Sequence, residues 1–331
     1  MKERTFLDGA GSLLAVRNQK GTRNLTQLTF HRDLRNEPVL QCRTFEEQIP
    51  YLTFPKLEAC EKVDHLFTTR LGGVSEGQFY SMNFSVKLGD SKENVQENYR
   101  RISRILKGKA EDITGTVQTH TTNIRRVTSA DRGKVACIPA DYDNVDGLVT
   151  NEKGLILAAY TADCVPIFFV DPKREAVGLA HSGWRGTVHD MAGKMVRKMT
   201  EEFGTDPKDL IVAIGPSICR KCYEVDEEVA NEFRKALGDA ENERELIARS
   251  GAYPMENGDT VRTYWEHGRE KGKYQLDLWL SNLIFLVRAG VQPGNVDVTD
   301  LCTAENAELL FSHRASAGKR GNMGAFLKLV E

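Results

Sequence analysis

A chain of 331 residues, 40% hydrophobic and 28% charged, has the composition of a soluble globular protein long enough to bury a substantial core, as one large domain or two smaller ones. A formal charge of -2 with no like-charge block argues against a nucleic-acid surface or an interaction tail, and no apolar run approaches the ~18–20 residues of a membrane span. Seven cysteines, an odd number scattered along the chain, suit reduced thiols inside a cell better than a disulfide framework.

Residues 1–60 show no strong period and are expected to form a peripheral, partly ordered extension over a sheet edge; residues 61–331 carry the expected catalytic domain. The N-terminus has no charged-then-apolar signal pattern, and the acidic residues among its basic and hydroxyl residues weaken a transit-peptide reading, so a cytoplasmic location is expected. An apolar strand over His65–Thr69 leads into Arg70-Leu-Gly-Gly-Val-Ser-Glu-Gly77, either an anion-binding concavity of backbone amides or a tight connection between strands. Asp90 or Ser91 can cap a helix over Glu93–Leu106, whose core face is Val95, Tyr99, Ile102 and Leu106. Ile113–Val127 reads as a strand region with Gln118-Thr-His120 in its middle, and a lone histidine there is more often structural than a ligand.

After the turn signal Asp146-Gly147 and a strand over Leu148–Thr150 comes the central stretch, Leu155–Val188. Its apolar runs Val165–Val170 and Glu175–Ala180 flank Asp171-Pro-Lys-Arg174 and read as a β-hairpin. Pairing Val170 with Glu175 and counting back sets Cys164 opposite His181, with Cβ atoms about 4.5–5.5 Å apart. That pair can share a metal ion or act as nucleophile and base; a one-residue slip would separate their faces. With His120 as third donor the set would suit a zinc site that keeps one open position. The turn Gly183-Trp-Arg-Gly186 then feeds a helix expected from Thr187 to Phe203, with Thr187 and Asp190 at its start and its methionines in the core. Arg185 and free amides at that turn would favour phosphate or another anion.

Ile211–Ile214 is an expected strand, followed by Cys219-Arg-Lys-Cys222, a C-x-x-C spacing with no second copy and therefore more simply two half-buried thiols. A helix over Glu227–Leu237, a charged region 240–272, a helix over Asp277–Ala289, and strands at Val296–Val298, Leu309–Ser312 and Ala325–Val330 complete the reading.

The segments Thr161-Ala-Asp-Cys-Val-Pro166 and His181-Ser-Gly-Trp-Arg-Gly186 resemble the signature of the laccase-domain family, also called multicopper polyphenol oxidase or YfiH-type, which includes purine nucleoside phosphorylases. Agreement extends to Thr69-Arg-Leu-Gly-Gly-Val-Ser75, Asp146-Gly-Leu-Val-Thr150, Ile214-Gly-Pro-Ser217, Cys222-Tyr-Glu-Val225, Asp277-Leu-Trp279, Leu301-Cys-Thr303 and Ser312-His-Arg314. The resemblance implies a single α+β domain of mixed sheets flanked by helices, layered α/β/β/α. It implies zinc held by His120, Cys164 and His181, and phosphorolysis of adenosine, inosine and methylthioadenosine with an adenosine deaminase side activity. It further implies purine nucleoside and phosphate as partners, with no nucleic acid and no membrane, in a monomer or small homo-oligomer. Arg70, Arg185, Ser75 and Asp163 become candidates for substrate or phosphate binding. The chain departs from the family at Gln118-Thr-His-Thr121 in place of Q-V-H-G, at Ser182 in place of alanine, and at Lys319-Arg-Gly-Asn-Met323 in place of a G-R-M-A pattern.

Seven histidines without a His-x-His pair cannot furnish a multicopper cluster, and a single copper is the less favoured ion. The rival readings are a Cys-His hydrolase or amidase editing peptidoglycan-type or peptide-like substrates, and a non-catalytic metal-dependent interaction module.

Overall fold

A computed structural model of the chain describes residues 40–45, 49–253 and 263–330, together with the strand pieces Arg4–Thr5, Val16–Asn18, Gly21–Arg23, Met255–Glu256 and Thr260–Val261. Much of the expected extension before residue 40, and part of the charged 240–272 region, lie outside the described residues.

Two large sheets stack face to face. The seven-stranded sheet is centred on Val63–Thr68, Met323–Leu329 and Ile156–Thr161, and the six-stranded sheet on Ile211–Ile214, Val165–Asp171, Ala176–Ser182 and Gly147–Thr150. Between them Phe67, Leu157 and Leu327 of one sheet pack against Phe168, Val170, Val177 and Leu179 of the other. The outer face of the six-stranded sheet, with Ile167, Phe169 and Val212, is covered by helices Met191–Phe203 and Leu278–Arg288. The outer face of the seven-stranded sheet is covered by Val95, Tyr99 and Ile102 of helix Lys92–Ile105. The layers are therefore α/β/β/α. Because Val165–Asp171 is buried on both faces, its sequence is an unbroken apolar run without polar alternation. The methionines of helix Met191–Phe203 are core: Met195 Cε would lie 2.7 Å from a Cβ at Gly178, so the missing side chain lets helix and sheet approach.

Several expected boundaries shift for local reasons. The hairpin pairs Pro166 with His181 and Val170 with Val177, two residues from the expected register. Asp171 remains in the strand while its Oδ1 accepts the amides of Lys173 and Arg174, and Glu175 takes a left-handed turn conformation at φ 48°. The helix expected from Thr187 is broken: Trp184–Val188 is one short helix, and Asp190 (φ 61°) caps the next by accepting the Gly193 amide at 3.0 Å. Ser91, not Asp90, caps helix Lys92–Ile105 through the Asn94 amide. Leu309–Ser312 is not a strand; Leu309 instead offers its carbonyl to the Arg70 amide.

The strand region expected over Ile113–Val127 is two strands in two different sheets. Ile113–Gly115 pairs with Ile156–Thr161 in the seven-stranded sheet, and Ile124–Arg126 with Gly147–Thr150 in the six-stranded one. Residues 116–123 carry the chain across the gap, and His120 rides on that crossing. Residues 40–60, read on sequence as part of the extension, supply strands Gln41–Phe45 and Ile49–Thr53, which continue the seven-stranded sheet through Tyr51 and Thr68.

Candidate active site

The crossing that bears His120 is held from below by one carboxylate. Asp146 accepts the amides of Thr119 and Thr121 through Oδ2 and that of His120 through Oδ1, at 3.0, 3.1 and 3.1 Å, and also takes the Thr121 hydroxyl. Successive amides aimed at one carboxylate bend the backbone tightly, and His120 adopts φ 65° with its ring exposed. Cys164 sits at the corner between strands Ile156–Thr161 and Val165–Asp171, where Asp163 takes φ 89° and the Thr161 hydroxyl donates to the Cys164 carbonyl. His181 comes from the paired strand Ala176–Ser182 and is buried.

These three residues converge. His120 Nε2 lies 3.8 Å from Cys164 Sγ, the imidazole centroids are 5.0 Å apart at 80°, and the ligating atoms of all three residues lie within 4.8 Å of one another. The two-residue shift in the hairpin leaves the residues together, since a slip of two preserves each side chain's face. Gly183 permits the approach: a Cβ there would stand 2.8 Å from His120 Cδ2 and 3.1 Å from Cys164 Sγ.

The same Asp146 orients His181. Its Oδ1 lies 2.8 Å from His181 Nδ1, so the ring donates Nδ1–H to the carboxylate and keeps Nε2 for the Cys164 side. Burial would raise the Asp146 pKa, but the His181 ring and the donated amides outweigh it and hold it below the usual value. Burial likewise opposes ionisation of Cys164, yet the neighbouring imidazoles bring its thiol down to about 6. Burial would depress His181, but Cys164 and Asp146 lift it to about 9. A thiolate beside two imidazoles is a donor set of one soft and two borderline ligands. It fits zinc with one coordination position left over, and the carboxylate behind His181 is the support that metal-binding imidazoles usually have.

The cluster opens into a cavity of about 600 Å³ whose walls include Phe84, Tyr99, Tyr142, Tyr160, Arg320 and Asn322. Gln118 fixes the floor by bonding both the amide and the carbonyl of Tyr160, at 2.7 Å each. Asp163, next to Cys164, is outside the cavity wall, and both its oxygens are engaged, with the Thr303 hydroxyl at 2.6 Å and the Arg314 amide at 2.7 Å. Arg185 is exposed and lies over the Trp184 ring at 4.4 Å. Arg70 and Ser75 are outside the cavity wall. Arg70 donates to the carbonyls of Tyr80 and Ala307, and Ser75 accepts from Asn98 at 3.0 Å. The amides of Gly73, Val74 and Ser75 are likewise taken by Ser81 and Asn98, so this glycine-rich loop is a structural connection.

Asp146 is legible in the sequence as a turn signal and as part of the family segment Asp146-Gly-Leu-Val-Thr150, but not as a partner of His120 and His181, and Arg320 and Asn322 lie where the chain departs from the family pattern. The Arg320 Nε is buried without a hydrogen-bond partner among the described residues. Ser182, the other departure, is satisfied internally: its hydroxyl donates to Asn282 Oδ1 at 2.9 Å, and Asn282 Nδ2 bonds Thr187.

Residues 64–330 match the family described as multi-copper polyphenol oxidoreductase laccase. The chain belongs to that family. Among its relatives is purine nucleoside phosphorylase YlmD of Bacillus subtilis, 36% identical over 80% of this chain and 88% of the relative. The protein of the same name from Geobacillus stearothermophilus is 38% identical over 78% and 88%. The crystal structure of YlmD from Geobacillus stearothermophilus superposes with a TM-score of 0.74 at 34% identity, covering 89% of this chain and all of that one. The Bacillus licheniformis protein YfiH gives 0.73 at 34% identity, over 84% and 96%. The expected family and the mixed α+β fold are thus both found. No helix among the described residues is long and apolar enough to cross a membrane.

Proposed function

We propose that this laccase-family chain is a zinc-dependent purine nucleoside phosphorylase acting on adenosine, inosine and methylthioadenosine, with adenosine deamination as a side activity. The observation that carries the reading is the convergence of His120, Cys164 and His181 at the mouth of a cavity of about 600 Å³ walled by aromatic rings. That volume and lining suit a purine and its ribose, and the relatives named above bear the phosphorylase name.

In phosphorolysis a phosphate oxygen bonds to the anomeric carbon of the ribose as the bond to the purine nitrogen breaks, and the departing base takes up a proton. His120, Cys164 and His181 would hold the ion, which supplies Lewis acidity to the oxygen nucleophile. Phe84, Tyr142 and Tyr160, with Tyr99 packed behind them, offer the flat apolar surface against which a purine packs. Arg320, which lines the cavity and has a donor facing no acceptor among the described residues, is the guanidinium best placed to hold phosphate, and Arg185 stands as a second, exposed candidate. Asp163 acts by positioning Cys164, because its oxygens are committed to Thr303 and Arg314.

Purified protein incubated with adenosine should release adenine and ribose-1-phosphate only when phosphate is present, with inosine as a minor product. Metal-loaded protein that turns over neither adenosine nor inosine would overturn the reading. A Cys164→Ser variant separates it from the cysteine hydrolase: a thiol acyl adduct formed by the wild type without metal would favour the hydrolase.

A further inference from the structure

We propose that Cys219, Cys222, Cys302 and Glu305 form a second metal centre, a closed structural zinc site distinct from the His120 cluster. The sequence offers only the lone C-x-x-C of Cys219 and Cys222; the fold brings in the other donors from a segment 83 residues away. Strand Val296–Val298 runs parallel to Ile211–Ile214, and the two segments stay together beyond the strand ends, where Ser217 bridges to Cys302 and the Thr303 amide donates to the Ser217 carbonyl at 3.1 Å. The turn Arg220–Cys222 folds back so that the amides of Cys222 and Tyr223 both reach the Cys219 carbonyl, at 3.1 and 3.0 Å. As a result one donor atom from each of the four residues lies within 4.8 Å of the others. Ligands on a tetrahedral zinc with bonds of about 2.3 Å are themselves about 3.8 Å apart, so modest inward movement closes the shell.

The chemistry of the neighbours favours a cation at this point. The Cys219 amide is directed at Cys302 Sγ at 3.4 Å, an arrangement that supports a sulfur carrying negative charge. Lys221 lies 3.1 Å from Glu305 and holds the carboxylate at the edge of the cluster. Cys219 and Cys302 are buried, at 3% and 0% exposure, and Cys222 and Glu305 are half-buried, so two of the donors face the interior and two close the cluster towards the surface. Three thiolates and a carboxylate select a thiophilic divalent ion and, with four protein donors, complete its coordination. The His120 set, with three donors facing a cavity, leaves a position open. A disulfide between Cys219 and Cys222 would use only two of the four donors.

The position gives the ion a task. The Ile218 amide, next to Cys219, donates to the Asp163 carbonyl at 3.0 Å, and Thr303, next to Cys302, donates to its carboxylate. Asp163 directly precedes Cys164, so an ion joining the two segments would brace the corner that presents the active-site thiol.

The test is metal analysis of the full-length protein purified under reducing conditions, as wild type, Cys302→Ser, Cys219→Ser/Cys222→Ser and His120→Ala. One equivalent of zinc per chain is expected to disappear in both cysteine variants and to persist in His120→Ala, whatever the His120 centre holds. Zinc content unchanged by Cys302→Ser, or a Cys219–Cys222 disulfide in unreduced wild type, overturns the proposal. Should the cysteine variants fail to fold, cobalt-substituted Cys164→Ser decides, because its thiolate-to-cobalt charge-transfer band can then come only from the second cluster. Absence of that band is equally fatal.

Discussion

His181 Nδ1 and Asp146 Oδ1 lie 2.8 Å apart with both side chains buried, and the same carboxylate collects three consecutive amides from the His120 crossing. One aspartate thus orients the His181 ring and sets the backbone that carries His120. Asp146→Asn should lower metal affinity by about 10–100-fold, the usual effect of losing a carboxylate behind a metal-binding histidine. Its amide nitrogen would also face donors where the wild type offers acceptors. Metal content after dialysis against a weak chelator, compared at matched helix content, checks this. Full retention of the metal would show that Asp146 serves the fold alone.

Gly183 separates a steric requirement from a conformational one. Its φ of -70° and ψ of 178° suit any residue, so alanine meets no backbone strain. The obstacle is the space taken by the His120 ring and Cys164 Sγ, at 2.8 and 3.1 Å from the added Cβ. The exposed crossing can move aside. Gly183→Ala is therefore expected to melt within a few degrees of wild type while losing at least tenfold in kcat/KM. Unchanged activity in that variant would mean that His120, Cys164 and His181 are not held as close as the structure places them.

The hairpin shows why the site was more legible in the sequence than its register. A period of two makes residue faces robust to the two-residue shift that the Asp171 side chain and the left-handed Glu175 introduce, so the expected neighbours Cys164 and His181 still meet. His120 was harder, because Ile113–Gly115 and Ile124–Arg126 look like one apolar stretch but belong to opposite sheets. The roles of Asp146 and Arg320 leave no local signal: Asp146 lies in a family segment that reads as an Asp-Gly turn, and Arg320 in a segment unlike the family pattern. Cys302 and Glu305 could not be assigned to Cys219 without the parallel pairing of two distant strands. Spacing reports local partners well, and reports long-range partners only when a motif is already complete.

His65 gives the fold a built-in acid sensitivity. It is buried in the core beside Phe54 and accepts the Phe54 amide through Nε2 at 2.9 Å, so its neutral form is the one the structure uses. Burial, with Arg43 nearby, pulls its pKa down from 6.5 to about 4 against a smaller opposing effect of Glu58. The unfolded chain therefore binds a proton that the folded chain refuses between these values. Stability from this group is complete above pH 6.5 and is lost as the pH falls towards 4. The loss should reach roughly 2–3 kcal/mol by pH 4.5. Urea midpoints measured from pH 7 to 4.5 should fall more steeply for wild type than for His65→Phe, and parallel slopes would rule this source out.

Ser182 carries a hydroxyl where the family pattern has alanine, and Asn282 is the residue that receives it, at 2.9 Å in a fully buried position. Ser182→Ala leaves the Asn282 oxygen without that donor and should destabilise the protein by about 1–3 kcal/mol. Pairing it with Asn282→Leu should recover part of the loss, since both polar partners then leave together. A double variant no better than the sum of the single ones would place the cost elsewhere.

Arg320 offers the sharpest separation of the two activities proposed for the site. It lines the cavity, its Nε has no acceptor among the described residues, its other hydrogen bonds go to Gly321 and Asn322, and Cys164 and Asp163 are near enough to act on its charge. A charge-assisted hydrogen bond of about 1.5–3 kcal/mol to phosphate corresponds to a change of about tenfold to a hundredfold in binding. Arg320→Ala should raise the KM for phosphate by that factor in the release of adenine from adenosine. Conversion of adenosine to inosine uses water rather than phosphate, and its rate should change much less. Arg320→Lys keeps the charge but not the planar fork, so it should recover only part of the phosphate affinity. Equal losses in both reactions would instead place the guanidinium against the nucleoside, and the phosphate site would have to be sought at Arg185.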